Sequence, residues 1–309
     1  MATMNEFTFP SCDGVHEIYV RQWLPEGPVR AVVQIAHGVA EHIARYDDFM
    51  QFLTEQGIAV VGNDHLGHGR STRSADELGY FGAEKGWNHV VGDIHRLHRK
   101  IKGEYPDVPV FLFGHSMGSF LSRTYAILNG EDLDGLILCG TGHQPKAMVS
   151  AGLTASALEI RRHGPDYRSD MLNDMAFGSY NKGFEHVFTP SDWISRERSV
   201  VDRYLADPYC GFLPTAGLFH EMMRGISYVT DNGNIRKMPK DLPVLFISGA
   251  ADPVGENGKG VMRAYSAFVG AGMMDATLKL YPGARHELLN ETNKEDVYMD
   301  VLCWLNRYC

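Results

Sequence analysis

The chain predicts an α/β architecture, with a mostly parallel central sheet flanked by helices and interrupted by one helical insertion. Three observations carry this. The apolar runs AVVQIA (31–36), IAVVG (58–62), VPVFLFG (108–114) and LDGLILCG (133–140) have the Val, Ile, Leu and Phe content of strands buried on both faces. Segments of helical period separate them. After a long stretch with no buried-strand pattern, the same alternation resumes at DLPVLFISG (241–249) and ATLKLY (276–281).

Taken in chain order, EIYVRQW (17–23) alternates and is expected to be an antiparallel edge strand. The run 31–36 opens the parallel rhythm, and 44–56 has the pattern of a helix leading into 58–62. Val90, Ile94, Leu97 and Ile101 recur at steps of four, three and four, which makes an amphipathic helix lying on the sheet. His95 and His98 are expected on its solvated face. A helix over 116–129 joins the strands 108–114 and 133–140, and Cys139 is expected to be a small core residue.

From 143 to 240 the rhythm fails. Met, aromatic and Arg residues cluster there in helix-like groups such as DWISRERSVVDRYL and GLFHEMMRGISYV. The division expected is a core of 1–142 and 241–309 with a helical insertion at 143–240. A helix at 259–270 and a last one carrying Val297, Val301, Leu302 and Leu305 complete the core. Strand and helix in this order require right-handed crossovers and helices on both faces of the sheet.

Composition narrows the function classes. With 309 residues, 44% hydrophobic and 22% charged, the chain can bury a large core. Its net charge of −9 repels phosphate backbones and anionic lipid head groups, which argues against a nucleic-acid partner. No run approaches the roughly 18 apolar residues of a membrane span, so no stable membrane insertion is expected. MATMNEFTFP lacks the cationic and apolar segments of a signal peptide. Five scattered cysteines, Cys12, Cys139, Cys210, Cys303 and Cys309, fit a reduced, cytoplasmic protein. The HxxH pairs His65/His68 and His95/His98 have no acidic or thiolate partner at metal-ligand spacing, and His65/His68 are expected to shape a loop. Nothing in the residue pattern specifies an oligomeric state.

The chemistry begins at GHSMG (114–118). Ser116 follows a strand and starts a helix, the setting of a nucleophile elbow, and glycine at 114 and 118 clears the side chains its tight turn would make collide. A serine hydroxyl needs a base to take its proton as it attacks. Functional side chains of an open α/β sheet gather at the carboxyl ends of the strands, where His37, His143 and His286 all lie. The chain order nucleophile, acid, histidine selects His286. Asp252, in SGAADPVG, follows its strand and can orient the imidazole, whereas Asp241 and Asp275 precede theirs. The N–H of Met117 supplies one oxyanion donor, and Val39 in HGVAEH (37–42) supplies the second.

Together HGVAEHIARY (37–46), NDHLGHGRS (63–71), GHSMG (114–118), SGAADPVG (248–255) and GARHELLNE (283–291) resemble the serine α/β-hydrolases of the monoacylglycerol lipase and lysophospholipase group. The resemblance covers 31–143 and 241–309. It implies the α/β-hydrolase fold, Ser116 as nucleophile with Asp252 and His286 as partners, Val39 and Met117 as oxyanion donors, and the insertion as a helical cap. It further implies a small-molecule ester substrate with an acyl chain, and no metal or organic cofactor. Ser119 stands where many relatives have a second glycine, a departure that bears on helix packing. Two other readings share these residues. One is a short-chain carboxylesterase, or a peptidase or amidase of the same fold; such peptidases bind a substrate amine with acidic cap residues, and this insertion is rich in Arg as well as Glu and Asp. The other is a binding protein that has kept the fold without catalysis.

Overall fold

The computed structural model describes residues 2–309. In chain order the elements are β1 (Thr3–Pro10), β2 (Glu17–Leu24), β3 (Ala31–Ala36), α1 (Asp47–Glu55), β4 (Ile58–Asn63), α2 (Gly86–Glu104), β5 (Val110–His115), α3 (Met117–Asn129) and β6 (Gly135–Cys139). Five helices follow without a strand: α4 (Lys146–His163), α5 (Asp170–Phe177), α6 (Arg198–Ala206), α7 (Ala216–Thr230) and the short α8 (Asn232–Ile235). Then come β7 (Val244–Gly249), α9 (Lys259–Gly270), β8 (Ala276–Tyr281) and α10 (Lys294–Leu305).

The strands form one sheet in the order β1-β2-β4-β3-β5-β6-β7-β8. β1 and β2 run antiparallel to their neighbours and the remaining pairs are parallel. In β5, Phe111 and Phe113 point to one face and Leu112 to the other, the two-residue alternation of a strand covered on both sides. On the first face α1 and α10 contribute Phe49, Leu53, Val297 and Val301. On the second, α2, α3, α7 and α9 contribute Val90, Leu121, Val229 and Phe268.

Two expectations are corrected. The strand near 17–23 is antiparallel but is not the edge: β1 pairs along its whole length and takes the outer position. Most of β1 is exposed, so its apolar signal is confined to Phe7 and Phe9, which pack on the second face. His98 does not lie on a solvated face. It is fully buried, with Nδ1 3.2 Å from Gln34 Oε1 and Nε2 3.0 Å from Asp132 O. Gln34 is a polar residue at the centre of the sheet, and its amide donates to Ile94 O at 2.9 Å, so the histidine completes its hydrogen bonding. Helical period alone does not reveal such a partner on another element.

Candidate active site

β5 ends at His115 and α3 begins at Met117, which leaves Ser116 alone in the turn with φ 53° and ψ −121°. A non-glycine residue there costs on the order of 1–3 kcal/mol and persists only where the surroundings impose it. The Ser116 N–H donates to Cys139 O at 3.0 Å, which ties the elbow to β6. A Cβ on Gly114 would stand 2.5 Å from Gly118 O, and one on Gly118 2.6 Å from His37 O, so neither site accepts a side chain. Ser119 fits because its hydroxyl donates to Ser116 O at 2.6 Å and adds a second anchor to the turn.

Asp252 follows β7 and His286 follows β8. His286 Nδ1 donates to Asp252 Oδ2 at 3.0 Å, and both residues are buried. The carboxylate also receives Val254 N–H at 2.9 Å and Ser248 Oγ at 3.3 Å, which hold it in place. Burial disfavours a charged imidazole, but the charge of Asp252 and its hydrogen bond outweigh burial and raise the His286 pKa. The ring lies between His115 at 4.6 Å and Trp193 at 5.0 Å, centroid to centroid. His286 and Ser116 line the same cavity, and no hydrogen bond joins Ser116 Oγ to His286 Nε2 in this conformation. Such contacts often tighten only when substrate binds.

The competing residues are placed differently. His37 Nε2 accepts the N–H of His65 at 2.9 Å and its ring lies against His65 and His68, so these three histidines knit the loops after β3 and β4. Burial holds His143 down to about 4, and its backbone oxygen receives Arg263. Asp241 is exposed, and Asp275 accepts the Tyr308 hydroxyl at 2.6 Å at the far end of the sheet.

The loop after β3 meets the elbow directly, since a Cβ on Gly38 would lie 3.1 Å from Ser116 Cβ. Its Gly38 N–H is already engaged with Glu41 Oε1 at 2.6 Å. The N–H groups of Val39 and Met117, by contrast, have no partner among the described residues. Both residues line the cavity.

Sequence reasoning missed the frame around these groups. Arg45 Nη1 and Nη2 donate to the two oxygens of Glu287 at 2.7 and 2.6 Å, and Nη1 also reaches Glu41 Oε2 at 2.9 Å. Tyr46 donates to Glu41 Oε1 at 2.9 Å. Burial works against every one of these charges, yet Arg45 beside Glu41 keeps that carboxyl below its ordinary value, and the two carboxylates raise the guanidinium further. The residues from Asp192 to Ser195 form a second support: Ile194 O accepts Glu287 N–H at 2.7 Å and Trp193 O accepts His286 N–H at 3.4 Å. The sequence signal was limited to charged and aromatic residues close to the motifs, in HIARY, RHE and DWIS.

The cavity encloses about 900 Å³. Ser116 and His286 line it, and Leu172, Phe177, Phe219, Met222 and Ile226 from the segment between β6 and β7 contribute to its apolar lining. Its last helices are not detached from the sheet. Trp87 N–H donates to Glu221 Oε2 at 2.9 Å and α7 packs on α2 and α3, with Gly225 giving room for the Trp87 ring.

Residues 27–293 match the family described as serine aminopeptidase, S33. The chain is 30% identical over 302 residues to the monoglyceride lipase of Rattus norvegicus, covering 96% of this chain and 88% of that protein. It is 29% identical to the monoacylglycerol lipase of Mycolicibacterium smegmatis, covering 98% of each. Among solved structures, a thermostable carboxyl esterase from Bacillus coagulans in complex with glycerol is 31% identical with a TM-score of 0.92, covering 99% of both chains. A soluble variant of the Saccharomyces cerevisiae monoglyceride lipase has the same fold, with a TM-score of 0.77 at 22% identity, covering 98% of this chain and 94% of that one. The chain is an enzyme with the α/β-hydrolase fold and belongs to the serine aminopeptidase S33 family of hydrolases.

Proposed function

We propose that the protein hydrolyses carboxylic esters of lipid character, such as monoacylglycerols or lysophospholipids, through an acyl-enzyme on Ser116. The observation that carries this reading is the elbow serine facing the same 900 Å³, largely apolar-walled cavity as the hydrogen-bonded His286–Asp252 pair. His286 Nε2 takes the Ser116 proton as Oγ attacks the ester carbonyl, and Asp252 stabilises the imidazolium that results. The unpartnered N–H groups of Val39 and Met117 receive the oxyanion, a contribution of on the order of 10² to 10³ in turnover for each donor. As the tetrahedral intermediate collapses, His286 returns the proton to the leaving alcohol. Water then repeats the sequence on the acyl-enzyme and releases the acid.

The segment 143–240 serves in this reading as a cap over a core made of 1–142 and 241–309, and its Met and Phe side chains receive the acyl chain. The names of the relatives, monoglyceride and monoacylglycerol lipases, support a glycerol ester as substrate. Five unpaired cysteines support a reducing, cytoplasmic setting.

The test combines a variant with a substrate panel. Ser116→Ala is expected to abolish hydrolysis of p-nitrophenyl esters and labelling by a fluorophosphonate, and full residual activity would overturn the assignment. A panel of esters of graded chain length with monoacylglycerol, lysophospholipid and aminoacyl amides is expected to favour the acylglycerols. Cleavage of short acyl groups alone would leave an esterase and remove the lipase, and preference for the amides would make it a peptidase.

A further inference from the structure

A second cluster of reactive side chains lies beside the candidate active site and takes no part in the mechanism above. His42, on the loop after β3, meets Asp207 and Cys210, which follow α6. One ligand atom from each of these residues lies within 4.8 Å of the other two, and His42 Nε2 is 2.8 Å from Asp207 Oδ2. We propose that His42, Asp207 and Cys210 bind a divalent, thiophilic cation of the Zn²⁺ type, which fastens the 207–211 segment to the loop that carries Val39.

The donors suit that ion. Imidazole nitrogen, carboxylate oxygen and thiolate sulfur are the ligand types of Zn²⁺, whereas Ca²⁺ and Mg²⁺ take oxygen donors. At Zn–N and Zn–O distances of about 2.0–2.2 Å and Zn–S of about 2.3 Å, tetrahedral donors stand about 3.3–3.8 Å apart. His42 and Asp207 would therefore separate by less than about 1 Å, and a water would take the fourth position.

The surroundings prepare the ligands. Asp207 and Cys210 are brought together by a tight turn in which Cys210 N–H donates to Asp207 O at 3.0 Å. The second carboxylate oxygen of Asp207 receives Tyr209 N–H at 2.9 Å, which leaves Oδ2 directed at the cluster. Such support orients a ligand before the metal arrives. As the Sγ–metal bond forms, the thiol proton passes to solvent.

The position gives the site a consequence. Gly211 N–H donates to Ala40 O at 3.0 Å, and Val39, Ala40, Glu41, Gly211 and Phe212 all line the cavity. A cation here pins two cavity walls that are otherwise joined by hydrogen bonds.

The test is metal binding to the reduced, chelator-treated full chain, a readout independent of hydrolysis. Co²⁺ is expected to bind with the ligand-field bands of a tetrahedral centre and a thiolate-to-cobalt charge-transfer band, and one equivalent of Zn²⁺ is expected to displace it. Cys210→Ser should lose the charge-transfer band, and His42→Ala and Asp207→Asn should each weaken Zn²⁺ binding by more than about tenfold. A Cys303→Ser/Cys309→Ser double variant should behave as wild type, which separates this site from the exposed thiols. The proposal fails if the band survives in Cys210→Ser, or if wild type with native near-UV circular dichroism gives no band. Should Cys210→Ser fail to fold, unchanged Zn²⁺ affinity in Asp207→Asn and His42→Ala would overturn it equally.

Discussion

Arg45 and Glu287 meet through two parallel hydrogen bonds of 2.7 and 2.6 Å, which join the loop after β3 to the residue that follows His286. Glu41 extends this link, since it accepts one Arg45 N–H and the Gly38 N–H. The loop offering Val39 and the loop carrying His286 are therefore set by one buried ionic frame. Truncation of Glu41 frees the Gly38 N–H and should loosen the loop of the proposed Val39 donor while leaving the Ser116 and His286 side chains in place. Glu41→Ala is expected to lower kcat by about 10²-fold with little change in KM, because a displacement of about 1 Å at a reacting group has an effect of that order. Glu41→Gln keeps an acceptor for Gly38 and should recover most of the rate. Steady-state kinetics on a soluble ester decide it, and an unchanged kcat in Glu41→Ala would remove the positioning role.

The pH profile follows from His286. The proposed mechanism needs this imidazole neutral, and the neighbouring Asp252 raises its pKa above the ordinary 6.5 despite burial. The acid limb of kcat/KM is thus expected to have its midpoint above 6.5, with activity falling as pH decreases. Asp252→Asn removes the charge and should move that midpoint down while turnover falls steeply. A midpoint near 4 in wild type would mean that another group limits the rate.

Acid should also weaken the fold. Burial holds His68, His98 and His115 down to about 4, and His37 and His65 well below 6.5. An unfolded histidine takes up its proton near 6.5, so between that pH and about 4 the unfolded chain binds more protons than the native one. Stability therefore decreases as pH falls through this window, by up to about 1.4 kcal/mol per pH unit for each of His68, His98 and His115, and His37 and His65 act in the same direction. His286, with its raised pKa, acts in the opposite sense but is a single group. Urea midpoints at pH 7 and pH 5 measure the balance, and an equal or higher midpoint at pH 5 would contradict it.

Two glycines should respond in opposite directions. A Cβ on Gly118 would press on the backbone oxygens of Ala36 and His37, so Gly118→Ala is expected to yield unfolded or inactive protein. Gly103 lies in α2 with open space around it, and Gly103→Ala should stabilise by about 0.4–1 kcal/mol through the unfolded chain. Thermal unfolding of the two variants compares them directly, and a well-folded, active Gly118→Ala would refute the packing account of the elbow.

The sequence by itself determined the strand runs, the order of the parallel elements and the residues that stand at their carboxyl ends. Ser116 and Asp252 each follow a strand whose apolar run is visible over about six residues, because burial on both faces writes itself into local composition, and His286 follows the half-buried edge strand β8, whose ATLKLY alternates. What lies around them depends on contacts between residues far apart in the chain. β1 takes its place by pairing with β2, not by its own apolar pattern, and His98 is buried because Gln34 needs a partner. Arg45 and Glu287, 242 positions apart, pair only once the loops after β3 and β8 come together, and Trp193 reaches His286 only when the helical segment has folded across the sheet. Local periodicity reports which side of an element faces the core, whereas the identity of the polar partner waiting there is decided by tertiary packing.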